Sequence, residues 1–274
     1  GVGSGLVTSA RGKAVAAMEP FEPAKGPMGT VRYTVQTGGT LQDIGRIFGM
    51  PVEALMELNP DVPEDRFFGP GTSIVVYEPG VALAPVTYGT RDRLFAGVPM
   101  PDGPGRRVRR RRLSWGTSHA VFHLDAALSA FGEAYPEGPV VIVSDMSRRE
   151  GGRLPPHHAH RSGRDIDLSY VPKPEQDNGG FLMMNSWAFD RERNWKFIQA
   201  LLATDQVELI LMDRSLQKLL HQHLQGKLSD AELRRVFQYP RSSAEEVGII
   251  RHWDGHRDHM HIRLRCAPDQ PHCP

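Results

Sequence analysis

Two short stretches concentrate the side chains that bind metals and move protons: "HHAHRSGRDID", residues 157–167, and "HRDHMHIRLRC", residues 256–266. A metallohydrolase centre needs three nitrogen or oxygen donors and one open position, where water bound to zinc is acidified to a pKa near ~7. Alternate residues of an extended strand share a face. His259 and His261 of "HMH" therefore project together, as do Asp165 and Asp167 of "DID", while Ile166 and Leu168 turn the opposite way into apolar packing. A single histidine is ordinarily a surface or hydrogen-bonded residue, but two such strands meeting face to face can surround one ion. Spacing alone leaves the register open, because His158 and Asp165 stand as far apart as His160 and Asp167.

Other histidine pairs carry a weaker pattern. His119 and His123 lie four apart in "HAVFH" on a predicted helix, yet Ala120 occupies the place of the glutamate base that a zincin helix requires. His221 and His223 are two apart in a predicted helix, which points the rings to different sides. Both pairs read as structural or exposed.

The elements that must position these clusters follow from the 274-residue chain. That length suits two domains. The formal net charge is +1 with 24% charged residues, so no global field marks a nucleic-acid binder. No apolar run is long enough to span a bilayer, and the first residues lack a basic start before a long apolar stretch. The chain begins at Gly1 rather than Met, which is compatible with a removed signal peptide or with a trimmed chain. Its two cysteines, Cys266 and Cys273, can close one small loop in the Pro-rich tail, worth about 2.5 kcal/mol by chain entropy. Reduced thiols of a cytosolic protein are the other reading.

Residues 1–30 are a Gly/Ala/Pro/Ser-rich lead-in without periodicity. "VRYTVQTGGTL" then reads as a strand running to the N-cap Thr40, followed by a helix with Ile44, Ile47 and Phe48 on one face and Gly49 as its stop. A second helix starts at Pro51 and breaks at Asn59-Pro60, and "GPGTSIVVYEP" closes with a strand. This order, with "YTVQTGGTLQDIGRIFG", "LMELNP" and "GTSIVV" in place, resembles a lysin-motif (LysM) module over residues 31–78. The resemblance implies binding of N-acetylglucosamine-containing glycans such as peptidoglycan. It places sugar contacts in two loops, at Gly38, Gly39, Thr40 and Leu41 and at Asn59, Pro60, Asp61 and Val62. Residues 79–112 form a Pro/Gly-rich linker ending in the run Arg106 to Arg112, either a solvated connector or a point of attraction for an anionic wall polymer.

From residue 113 onward helices interleave with a few strands and long connections, so the second domain is α+β with an antiparallel core sheet. "PVVIVSDM" is a buried strand, "RNWKFIQALLATD" an amphipathic helix, and "HMHIRLRC" closes the core. Here "GGRLPPHHAHRSGRDIDL" and "IRHWDGHRDHMHIRLRC" resemble the two signature stretches of the penicillin-insensitive murein endopeptidases. These belong to the zinc peptidase group that also holds lysostaphin-type endopeptidases, D-Ala-D-Ala carboxypeptidases and the hedgehog amino-terminal domain. The resemblance covers residues 113–274. It implies one Zn2+ per chain held by His160, Asp167 and His261, with His259 as general base and His157 and His256 as further active-site histidines. Gly163 follows His160 at the group's spacing, which favours this register over the one through His158 and Asp165. The resemblance also implies a Cys266–Cys273 bridge, a periplasmic or secreted location, and cleavage of D-alanyl to meso-diaminopimelyl cross-links. A D,D-carboxypeptidase of the same group, or a noncatalytic wall-binding protein with structural zinc, are the alternatives.

Overall fold

Helix capping sets the N-terminal unit. The computed structural model describes residues 28–79, 81, 93–94 and 97–268. The lead-in before residue 28 and much of the Pro/Gly-rich stretch after residue 79 lie outside them. Thr40 and Asp43 cap each other reciprocally at the start of α1 (Leu41–Phe48), and Gly49, in the left-handed region at φ 68°, ends it. α2 (Val52–Leu58) follows. α2 packs on one strand of an antiparallel pair, β1 (Val31–Thr34) and β2 (Ser73–Tyr77), and α1 packs on α2 and sets the Phe48 ring against Tyr33 of β1. The buried stripe of α1 is Leu41, Ile44, Gly45 and Phe48. Ile47, expected on that face, stands past its edge and is exposed, because 41, 48 and 45 fall within about 100° on one side of 44 around the helix whereas 47 falls about 60° to the other side.

The second unit is built on a six-stranded sheet in the order β4 (Arg106–Val108), β6 (Val141–Val143), β7 (Asp165–Ser169), β10 (His259–Leu264), β8 (Val207–Met212), β9 (Ile250–His252). The three central pairings are antiparallel, as expected, whereas the outer pairs β4–β6 and β8–β9 run parallel, so the sheet is mixed. A small ladder joins β3 (Val98–Pro99) to β5 (Trp115–Gly116). Thr117 caps α3 (Ser118–Ala134) through a bond from the Ala120 amide. α3 packs on α4 (Arg191–Ala203), where the rings of Phe131 and Phe197 meet edge to face. α5 (Arg214–Leu224) and α6 (Asp230–Val236) complete six α-helices among the described residues. None of them is long and apolar enough to cross a membrane.

The arginine run is not the linker expected of it. Arg106, Arg107 and Val108 form the edge strand β4, and Arg111–Leu113 is a 3₁₀ turn. The cause is tertiary: the Arg106 guanidinium is buried against Asp125 and donates to Ser129 Oγ at 2.7 Å, a pairing too distant in sequence for local pattern to reveal. The run also docks the two units together. The Arg111 guanidinium lies 4.8 Å above the Tyr33 ring and 5.6 Å above that of Phe48, and Trp115 Nε1 donates to the Phe48 carbonyl at 2.8 Å.

Asn59 shows how firmly the first unit is closed. Its amide nitrogen donates to the carbonyls of Leu55 (2.8 Å) and Val75 (2.9 Å), and its oxygen accepts from the Val75 amide (3.0 Å). Asn59→Ala would strip three partners from half-buried backbone, and equilibrium urea unfolding should register a loss of about 1–3 kcal/mol. A change below about 0.5 kcal/mol would mean that water replaces the side chain without penalty.

Candidate metal centre

β7 and β10 bring the two histidine- and aspartate-rich stretches face to face. Their antiparallel register sets His261 opposite Asp167, Arg263 opposite Asp165 and His259 opposite Ser169. Ile166, Leu168, Met260 and Ile262 fill the other face and are fully buried. Strand alternation therefore sorts an apolar side from a side carrying three basic and two acidic groups.

Asp167 is the hub. Its Oδ1 lies 3.0 Å from His261 Nδ1, 3.2 Å from His160 Nε2 and 3.9 Å from His259 Nε2, and its Oδ2 is 3.7 Å from His157 Nδ1. Burial opposes ionisation of this carboxyl, but the imidazoles of His160 and His261 outweigh burial and hold its pKa far below the usual range. Asp165 behaves alike: against burial, His261 and Arg263 bring it to about 2. Asp165 Oδ1 accepts from His261 Nε2 at 2.9 Å and from Arg263 Nε at 2.8 Å. Flanked by two carboxylates, the His261 imidazole is raised to about 9 despite burial. The carboxylate pair thus demands positive charge at Nδ1 of His261, which a proton or a divalent cation supplies.

His160 reports most clearly on a cation. It is buried, its Nδ1 donates to the Met146 carbonyl at 3.1 Å, and its Nε2 makes no hydrogen bond even though Asp167 is near. With the proton fixed on Nδ1, Nε2 presents a lone pair to the cluster, as a metal-ligating histidine does. Gly163 holds the loop that carries His160. At φ 73°, it packs so closely on Gly116 that an added Cβ would stand 2.8 Å from the Gly116 Cα, and its carbonyl accepts from the Thr117 amide at 3.1 Å. His157, His160 and Asp167 place ligand atoms within 4.8 Å of one another, so these residues could hold a metal ion. His261 is not one of those three, but its Nδ1 reaches Asp167 Oδ1 at 3.0 Å. The donor set, neutral imidazole nitrogen plus carboxylate oxygen, fits zinc.

The other nominated residues fall at different distances from this hub. His259 Nδ1 bonds Asp258 Oδ1 at 2.7 Å, which turns Nε2 toward Asp167. His256 stacks obliquely on His259 at 4.7 Å, its Nδ1 donating to the Asp254 carbonyl, and burial lowers its pKa. His157 Nε2 donates to Asp145 Oδ2 at 3.0 Å. His119 bonds Gln206 and packs on His123, whose pKa burial lowers to about 4; His221 sits against Phe237 and Tyr239. Cys266 is not a free cysteine, and Cys273, the partner expected for it, lies outside the described residues. Sequence reasoning passed over Asp145, which also accepts from Arg110 at 2.7 Å, and Phe181, whose ring stacks on His259 at 5.8 Å. The only signal for Asp145 was its place at the end of the buried run "VVIVSDM".

In the first unit half of the loop residues expected at sugar are committed elsewhere. Leu41 is fully buried, Thr40 is spent on its cap and Asn59 on backbone, while Gly38, Pro60, Asp61 and Val62 keep some exposure and Gly39 is buried. Phe67, 70% exposed, stands against Gly38 and was missed; "FF" followed by glycine, one ring in and one out, is its signature.

The family model of the penicillin-insensitive murein endopeptidase matches residues 101–274, and that of the LysM domain matches residues 33–76. Curated proteins named penicillin-insensitive murein endopeptidase are similar: 29% identical over 150 residues in Yersinia enterocolitica, 28% over 145 residues in Escherichia coli O157:H7 and 27% over 144 residues in Klebsiella pneumoniae. Each match covers 48% of both chains, so the chain spans about half the length of the curated relatives it matches.

Because Gly163 sets the approach of His160, Gly163→Ala should lower zinc affinity about tenfold or more in calorimetric titration, in the range produced by disturbing a ligand's support. Affinity equal to the parent's would show that the loop accommodates the methyl group without moving His160.

Proposed function

Because the chain belongs to the penicillin-insensitive murein endopeptidase family, we propose that it hydrolyses peptide cross-links of murein, using one zinc ion held by His160, Asp167 and His261. The observation that carries this reading is the buried Nε2 of His160, which makes no hydrogen bond and lies 3.2 Å from an Asp167 carboxylate oxygen that His261 also reaches. Zinc, when bound, supplies Lewis acidity for the scissile carbonyl and acidifies water. His259 is the general base: Asp258 holds the proton on Nδ1, leaving Nε2 to accept one from water and return it to the leaving amine. Asp165 and Arg263 orient His261, as Asp145 orients His157. His157 borders the developing oxyanion. His256, with its proton spent on the Asp254 carbonyl, serves as a neutral neighbour of His259. The bond proposed is D-alanyl to meso-diaminopimelyl, reached without a serine acyl-enzyme. Carboxypeptidase action is the alternative that cleft loops such as "VPKPEQDNGGFLMMNSW" would decide.

A second ligand set has its own support. His157, His160 and Asp167 satisfy mutual ligand spacing, and His157, like His261, has its far nitrogen on a carboxylate. Metal analysis separates the two: we expect His261→Ala, His160→Ala and Asp167→Asn each to lose the zinc, and His157→Ala to keep most of it. Retention by His261→Ala with loss by His157→Ala would exchange their roles.

Residues 31–78 are proposed to bind the glycan, with Phe67 offering its exposed ring to a sugar face, and residues 113–274, completed by β3 and β4, to carry the hydrolase. The location proposed is periplasmic or secreted, with Cys266 bridged to Cys273. Mass analysis of muropeptides released from purified sacculi, with and without chelator, tests the activity. His259→Ala should keep its zinc yet lose turnover by about 10² to 10⁴; undiminished release by this variant would remove His259 from the chemistry. Intact mass should rise by two protons on reduction, and an unchanged mass would rule out the bridge.

A further inference from the structure

We propose that the cleft between the LysM unit and the sheet edge binds the carboxylates of murein stem peptides. The proposal rests on the murein reading above and adds a second binding site to it.

The cleft has a volume of about 630 Å3. Tyr33, Gln36, Thr37 and Ile47 line it from one unit and the arginine run from the other. Seven arginines and one carboxylate, Asp102, line it, six of the arginines with their side chains not buried, in a chain whose net charge is only +1, so the imbalance is local. Four of these arginines are neutralised: Arg46 by Asp43, Arg106 by Asp125, Arg110 by Asp145 and Arg111 by Asp102. Arg107, Arg109 and Arg112 are exposed and have no carboxylate partner among the described residues. Within β4 strand alternation turns Arg106 and Val108 inward and Arg107 outward, where its guanidinium also donates to the Gly179 carbonyl, and Arg109, just past the strand, is likewise exposed at the cleft.

Planar guanidinium groups match carboxylates through paired hydrogen bonds. A murein strand carries neutral sugars and carboxylate-bearing peptides side by side, so a strand held by its sugars at the LysM unit brings carboxylates to the adjoining arginines. The direction is also set. Arg109 lies 5.2 Å over the Phe181 ring, which also stacks on the His259 imidazole, so a peptide leaving the cleft past Arg109 arrives at the metal centre.

The test is cosedimentation of the full chain carrying His259→Ala with native sacculi and with sacculi whose carboxylates have been amidated. Adding Arg109→Gln with Arg112→Gln should weaken binding to native sacculi about tenfold and flatten its salt dependence. Adding Arg109→Lys with Arg112→Lys should retain most of it, and on amidated sacculi all three proteins should bind equally. Unchanged binding of the Gln pair to native sacculi overturns the proposal, as does the same loss on amidated sacculi. Tighter binding of a DNA duplex than of native sacculi overturns it too. Failure of the zinc-loaded parent to release muropeptides would instead strike the hydrolase reading and leave the sedimentation result standing.

Discussion

The pairing of β7 with β10 is the constraint on which the centre depends. One register, His261 against Asp167, places every other residue of both strands on a polar side and the residues between them in a fully buried apolar layer. A slip of one residue would turn Asp165 and Asp167 into that layer and Ile166 out of it. Burying two unpaired carboxylates costs far more than any alternative pairing returns, so the packing that stabilises the sheet also sets the ligand geometry. Stability and chemistry are enforced by the same alternation.

Around that pair, support comes from groups that hold the far nitrogens of the imidazoles. Asp165 is clamped by Arg263 and in turn holds His261; Asp145 is clamped by Arg110 and holds His157; the Met146 carbonyl holds His160; Asp258 holds His259. Each imidazole that faces Asp167 therefore has its far nitrogen engaged, which fixes both ring orientation and the site of its proton. Gly163 and Gly116 perform the steric counterpart, because only their missing side chains let the His160 loop approach β5.

What was legible in the sequence was the part governed by short periods. "DID" and "HMH" carry a period of two, which is sufficient to predict a shared face, and "TGGTLQDIGRIFG" carries a complete cap, helix and stop. The remainder depends on partners remote in sequence. Nothing local in "RRVRRRR" signals a strand, since Arg106 becomes buried only because Asp125 and Ser129 wait 19 and 23 residues away. Asp145 reads as the polar end of a strand until Arg110 and His157 converge on it. Conversely, the lysin-motif resemblance placed Asn59 and Thr40 among the sugar contacts, whereas their polar atoms close turns and caps within the unit. Polar loop residues serve backbone as often as ligand, and only coordinates separate the two uses.

The central claim is that one cation is held jointly by the loop before β7 and by the two paired strands. Anomalous diffraction at the zinc edge from crystals of the full chain grown with zinc tests it most directly. The account predicts one strong peak about 2.0–2.2 Å from His160 Nε2, an Asp167 oxygen and His261 Nδ1, with His259 close by but not coordinating. A peak coordinated by His157 in place of His261, or one lying away from Asp167 altogether, would contradict it.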